Sequence, residues 1–224
     1  MEWSGISLGS FSPTIGSVKA FAQEIGPETE KRILQIVVSS YAVLHGKCLV
    51  TSNWEEDRIT EALYEEILVV WSCSSHSAKN WKPVHQFPVF PKKSVRGTAP
   101  SIDFVFSKGY ETQLYFAFEC KIVNHTNKTL TGNYVRLGMN RYVSEVYSAQ
   151  MPRGGMIGYT FDRQISLIVQ EINSEIMNRP PLTNKDFLIN GTINLSGFSD
   201  LFVSNHIRNP SRTPFMIYHL FLTF

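Results

Sequence analysis

The fold of this chain is decided by residues 100–123, PSIDFVFSKGYETQLYFAFECKIV. Two runs rich in β-branched and aromatic residues, 101–106 and 114–123, are typical of strands. The polar segment 107–111 between them contains Gly109, which suits the loop of a hairpin. The stretch therefore predicts two successive strands that pair antiparallel.

Three charged residues of this hairpin are placed to meet. Because side chains alternate between the faces of a strand, Glu119 and Lys121 share a face and Cys120 points to the other. Antiparallel pairing would bring Asp103 close to Glu119. Two carboxylates can hold a hard cation such as Mg²⁺, and a lysine can orient a water or help to deprotonate it. The spacing predicts phosphodiester hydrolysis; the alternative is a solvated or salt-bridged strand edge.

The hairpin also resembles a known family. Asp103, followed after fifteen residues by Glu119-Cys120-Lys121, resembles the D…ExK signature of the PD-(D/E)XK nuclease superfamily. The family's proline stands directly before the aspartate, whereas Pro100 stands three positions before it. The resemblance covers roughly residues 50–165 and implies an α/β fold, a restriction-endonuclease-like α/β/α sandwich with a central mixed β-sheet.

The resemblance implies a Mg²⁺-dependent nuclease acting on DNA, an endonuclease rather than an exonuclease, with Mn²⁺ able to substitute. Asp103 and Glu119 would bind the metal, and the main-chain carbonyl of Cys120 would be a further ligand. Lys121 would position the attacking water and stabilise charge in the transition state. Bacterial restriction or phage defence is the biological context that this family suggests.

Nucleases of the superfamily often carry a further metal-site glutamate on the helix before the sheet. Glu56 begins the pattern E-D-R-I-T-x-x-L, which resembles that helix, and would bind a second metal or a water. Glu61 is the second candidate. A third reading assigns the acidic cluster to the dipole of the helix N-terminus alone.

Two groups of polar residues are candidates for contact with the nucleic-acid backbone, which lysine and arginine bind through phosphates. One group precedes the Asp103 strand, and the other lies on the helix after the ExK strand, which flanks the active site in the resembled fold. Exposed arginines on a core helix are an equally supported reading of the second group. The two groups are Lys92, Lys93 and Arg96, and Arg136, Asn140 and Arg141.

Apolar periodicity predicts the remaining elements. Residues 84–90, interrupted by Pro88, are predicted as an edge strand, 155–161 as a central one, and 124–133 and 179–199 as irregular. His206 and His219 are expected to be structural. Helices are predicted at 27–45, 53–71, 134–150 and 163–178, and late strands at 201–204 and 215–222.

Composition places few limits on function. The chain has 224 residues, of which 43% are hydrophobic and 18% charged, which predicts an N-terminal arm at 1–26 and a single nuclease-like domain at 27–224. A net charge of +2 neither demands nor excludes nucleic acid. Three scattered cysteines, with no secretory signal or membrane-length apolar run, predict a cytoplasmic protein with no membrane partner.

Two alternatives to a self-sufficient deoxyribonuclease remain at this stage. The chain could keep the nuclease fold as a DNA-binding or scaffolding subunit of a larger complex. A homodimer or a partner protein would then supply target choice, because no helicase motif or ATP site is visible in the sequence. A nuclease directed to RNA is the other reading, since nothing in the sequence discriminates the 2′-hydroxyl.

Overall fold

The computed structural model describes residues 26–74, 80–89, 101–108, 114–148 and 150–224. The helices are α1 (Pro27–Gly46), α2 (Glu56–Ser72), α3 (Lys128–Asn133), α4 (Asn140–Val143) and α5 (Ile165–Met177), with a π-helical segment (Tyr134–Met139) joining α3 to α4 and a 3-10 turn at Asn184–Asp186. The strands are β1 (Trp81–Pro88), β2 (Ser101–Lys108), β3 (Tyr115–Ile122), β4 (Arg153–Thr160), β5 (Ile189–Asn190), β6 (Leu201–Ile207) and β7 (Pro214–Thr223).

In this described part of the chain, seven strands form one mixed sheet in the order β1-β2-β3-β4-β7-β6-β5. The pairs β3–β4 and β4–β7 are parallel, and the other neighbouring pairs are antiparallel. The predicted hairpin of β2 and β3 is confirmed, with Phe104 opposite Phe118. The predicted edge position of β1 and the central position of β4 are also confirmed.

Helices cover both faces of the sheet. On one face, residues of α1 and α2 such as Val37 and Leu63 share a core with Phe118 and Cys120 of β3. On the other face, the run from α3 to α4 and helix α5 share a second core with Met156 of β4. A mixed α/β fold with a central mixed sheet is therefore confirmed, and its likeness to restriction endonucleases stays a prediction. Among the residues described, no helix has both the length and the apolar character that a membrane crossing requires.

Two consecutive glycines let β4 lie between these layers. A Cβ on Gly155 would stand 2.4 Å from the ring of Phe118, and one on Gly154 would stand 2.7 Å from the ring of Tyr142. Phe118 belongs to the core beneath α1 and α2, whereas Tyr142 belongs to the opposite core. Aromatic rings thus occupy, from both sides, the space that side chains of β4 would otherwise fill.

Some predicted boundaries were wrong for local reasons. Residues 124–133 were predicted as irregular, yet α3 begins at Lys128, because the side chain of Asn127 accepts hydrogen bonds from the main-chain N–H groups of Thr129 and Leu130. The helical run then ends at Val143, well before the predicted residue 150, and Glu145 and Ser148 follow with positive φ. Helix α2 starts at Glu56, later than the predicted residue 53.

Candidate active site

The candidate site lies where β2 and β3 separate. These strands pair only from Phe104 to Ser107 of β2, while β3 continues beside β4 as far as Ile122. The main-chain N–H of Cys120 donates to Oδ2 of Asp103 at 2.6 Å, and that of Ile122 donates to Oε2 of Glu56 at 2.9 Å. Two carboxylates thus take the place of strand partners along the open edge of β3, so both have a structural role.

Lys121 lies at the centre of these carboxylates. Its Nζ is 2.7 Å from Oε1 of Glu56 and 3.1 Å from Oε1 of Glu119, and it donates to the carbonyl of Cys120 at 2.5 Å. Burial alone would lower the pKa of Lys121, but the carboxylates of Glu119, Asp103 and Glu56 together raise it above its usual value. Lys121 is therefore an ammonium ion, suited to orient a water rather than to deprotonate it.

Glu119 is the least satisfied group of the site. Glu119 is 1% exposed, and its Oε1 faces Lys121 and Arg141. Its Oε2 is buried and has no hydrogen-bond partner among the described residues. Burial, and next the neighbouring carboxylate of Asp103, raise the pKa of Glu119 to about 7. A buried carboxylate oxygen without a partner is costly, so this atom is the group of the site with the most to gain from a ligand.

Arg141 and Tyr147 border the site on the face of the sheet that α4 covers. Nη1 of Arg141 donates to Oε1 of Glu119 at 3.1 Å and also contacts the hydroxyl of Tyr147. That hydroxyl donates to the carbonyl of Ser101 on β2 at 2.9 Å. Sequence analysis placed Arg141 on a nucleic-acid surface and missed Tyr147, which lies in the turn after α4.

The oxygen donors of the site fit a hard cation only in part. Within the described residues, no three His, Cys, Asp or Glu side chains are grouped as a metal site requires. Glu56 is engaged with Lys121 and Ile122, while Glu61 is exposed farther along α2. Asp103, Glu119 and the carbonyl of Cys120 are the other candidate donors, of which Asp103 accepts from the N–H of Cys120 and the carbonyl accepts from Lys121. The unpartnered Oε2 of Glu119 and the repulsion between two neighbouring carboxylates fit a divalent ion with an incomplete protein shell.

The predicted nucleic-acid residues are only partly assembled. Lys92, Lys93 and Arg96 lie outside the described residues. Arg136 is exposed, with Nη2 donating to Oδ1 of Asn133 at 3.1 Å, and Asn140 is half-buried. Of the second group, the structure brings Arg141 alone into contact with a predicted catalytic residue. Arg136 lies on the π-helical segment and Asn140 at the start of α4, within one continuous helical run.

A second polar cluster combines serine, histidine and aspartate without forming a catalytic site. His206 bonds Asp186 through Nδ1 at 2.7 Å and Ser204 through Nε2 at 2.6 Å. Ser204 also bonds His219 at 2.8 Å, and His219 bonds the hydroxyl of Tyr134 at 2.8 Å. Ser204 and His219 are fully buried, so these two side chains are out of reach of a substrate. The structural role expected of both histidines is confirmed.

Comparison with protein-family models, with curated proteins and with solved structures found no match for this chain.

Proposed function

We propose that this protein is a Mg²⁺-dependent nuclease that hydrolyses phosphodiester bonds in DNA, built on a restriction-endonuclease-like domain. The observation that carries the proposal is the unpartnered Oε2 of Glu119, which is buried beside Asp103 and Lys121. In a structural ion-pair network, a buried carboxylate oxygen generally has a donor, because leaving it without one costs free energy.

Asp103 and Glu119, with the carbonyl of Cys120, would hold the cation. A bound Mg²⁺ would supply polarisation of a phosphoryl oxygen and a water of lowered pKa. The three carboxylates of the site outnumber its two cations, since Asp103, Glu119 and Glu56 face Lys121 and Arg141. The protein therefore offers a surplus negative charge where a divalent ion is needed.

The remaining side chains would orient the reactants. Lys121 lies 3.1 Å from Glu119 and is held by Glu56, so its ammonium can fix a water beside the metal carboxylates. Arg141 bonds the same oxygen of Glu119, so both cations lie within reach of a phosphate that meets this carboxylate. Their charge would stabilise the negative charge that grows on the phosphoryl group. Tyr147 would position Arg141, because its hydroxyl bonds Arg141 and the carbonyl of Ser101.

A binding or scaffolding role is the second candidate. It is favoured by the two hydrogen bonds that Asp103 and Glu56 accept from the main chain of β3, because these bonds explain both carboxylates without catalysis. Such a subunit would bind DNA and contribute no cleavage of its own. Metal-dependent cleavage separates the two roles.

The proposal is tested with Asp103→Asn, which keeps an oxygen that can accept from the N–H of Cys120 and removes the charge. Cleavage of plasmid, linear duplex and single-stranded DNA is measured with Mg²⁺, with Mn²⁺ and with EDTA. We expect wild-type protein to cut only with a metal, and Asp103→Asn and Lys121→Ala each to lose at least about a hundredfold in rate. Mg²⁺ should also raise the melting temperature of the wild type and not that of Asp103→Asn.

Lys47→Ala is the matched control, because Lys47 also pairs with a buried glutamate, Glu66, away from the site. It should cut at the wild-type rate. Metal-independent cutting, or full activity in Asp103→Asn, would refute the assignment. A folded wild type that binds DNA and never cuts it would favour the scaffolding role.

A further inference from the structure

A basic cleft lies at the other end of the helical run that carries Arg141. It is formed between α3, the start of the π-helical segment and α5, and Lys128, Gly132, Arg136, Glu175 and Arg179 line it. Sequence analysis considered Arg136 alone, because Lys128 and Arg179 are far apart in the chain. The proposed catalytic chemistry uses none of these residues.

The cleft carries an excess of positive charge. Three cationic side chains face one carboxylate, and Oε2 of Glu175 is 3.4 Å from Nη2 of Arg179. Nε of Arg179 is buried and has no hydrogen-bond partner among the described residues. Within that part of the chain, Lys128 and Arg136 have no recorded ion pair with a carboxylate. The net formal charge is +2, from three cations and one anion, which suits an anionic ligand.

The backbone of α3 packs closely against Arg179 at Gly132. A Cβ at Gly132 would stand 3.3 Å from Nη2 of Arg179 and 3.6 Å from Oε2 of Glu175. A side chain at this position would press on the guanidinium, so glycine lets Arg179 lie beside α3 and line the cleft.

The position of the cleft relates it to the candidate active site. A Cβ at Gly138 would lie 3.9 Å from Cγ of Glu119, and Arg141 bonds that carboxylate directly. Gly132 and Arg141 are nine positions apart in one helical run, which is about 13 Å at a helical rise of about 1.5 Å per residue. A nucleic-acid strand that reaches Glu119 can therefore also reach the cleft.

We propose that this cleft binds a backbone phosphate of the DNA strand, at a distance from the phosphate held at Glu119. Lys128, Arg136 and Arg179 supply the positive charge. The proposal rests on the proposed function for its choice of DNA as the ligand. It adds a second point of attachment, which would set the direction in which the strand crosses the site.

The test measures binding of a fluorescein-labelled DNA duplex in EDTA, so that cleavage cannot occur, over a series of KCl concentrations. Lys128→Ala and Arg179→Ala should each weaken binding about fivefold and lower the slope of log affinity against log salt by about one. Glu175→Gln should tighten binding, because among the described residues Glu175 supplies the one carboxylate that lines the cleft. The paired change Lys31→Ala and Arg32→Ala is the control, since both residues are exposed on α1, across the sheet.

The outcomes separate this proposal from the nuclease assignment. If Lys128→Ala and Arg179→Ala keep the wild-type affinity and salt slope, the cleft does not bind a phosphate of the DNA. This conclusion holds even if the protein cuts DNA with Mg²⁺. An equal loss of DNA affinity in the α1 control would also refute the proposal. Binding would then depend on the net charge of the protein and not on where the charges lie. Loss confined to the cleft variants would support it, even in a protein that never cuts.

Discussion

At the scale of single residues, Glu119 is held in an environment that disfavours its charge. It is buried, close to Asp103, and one of its oxygens has no partner in the described part of the chain. Groups kept in such positions are common where function, rather than stability, sets the residue. The sequence could place Glu119 and Lys121 on one face because the period of a strand is fixed.

Replacing this carboxylate by an amide tests whether it serves function. We expect Glu119→Gln to raise the free energy of unfolding by about 1 kcal/mol at neutral pH, because it removes a buried charge beside Asp103, while cleavage is lost. Urea unfolding and the plasmid assay give the two readouts. Glu66→Gln is the control, since Glu66 is also buried but has the partner Lys47, and its loss should destabilise the protein. If Glu119→Gln unfolds at a lower urea concentration than the wild type, the pairing of Glu119 with Lys121 and Arg141 is structural.

At the scale of elements, the sequence predicted the hairpin and most helices but not the opening between β2 and β3. The apolar character of a segment reports which residues are buried, and β2 and β3 are buried over most of their length. It contains no information on where pairing stops, which here depends on Asp103 and Glu56 bonding to the main chain of β3. The sequence named Arg141 as a candidate but could not predict its bond to Glu119, and it gave no sign of the role of Tyr147, because these contacts depend on where the helical run ends.

The central strand offers a test of packing. Gly155→Ala should lower the free energy of unfolding by about 1–3 kcal/mol, because the new methyl group would overlap the ring of Phe118, which is stacked on Phe104. Gly46→Ala is the matched control at the end of α1, where a Cβ meets nothing within 4 Å. It should be neutral or stabilise by up to about 1 kcal/mol. Equal urea midpoints for the two variants would contradict the packing described for β4.

At the scale of the whole molecule, the buried polar chain links the late strands to the helical run. One arrangement of protons satisfies every link: Tyr134 donates to His219, His219 to Ser204, Ser204 to His206, and His206 to Asp186. His219 is neutral in this arrangement. Burial, and next the neighbouring His206, lower the pKa of His219 well below its usual value.

Stability should therefore fall in acid through His219. Its pKa is lower in the folded than in the unfolded state, so below a pH of about 6.5 the unfolded chain binds a proton that the folded chain does not. The free energy of unfolding falls by up to about 1.4 kcal/mol for each pH unit of acidification. Glu119 and Asp103, whose pKa values burial raises, act in the opposite sense. The difference in urea unfolding between wild type and His219→Gln isolates the histidine; parallel pH profiles would refute its role.

The two borders of the sheet have a consequence for how molecules of this protein meet. β1, at one border, has eight residues, of which Pro83 and Pro88 lack an N–H, and β5, at the other border, has only two residues. Short or proline-containing border strands recruit further strands poorly. Fibril growth by strand addition is thus discouraged at both ends of the described sheet.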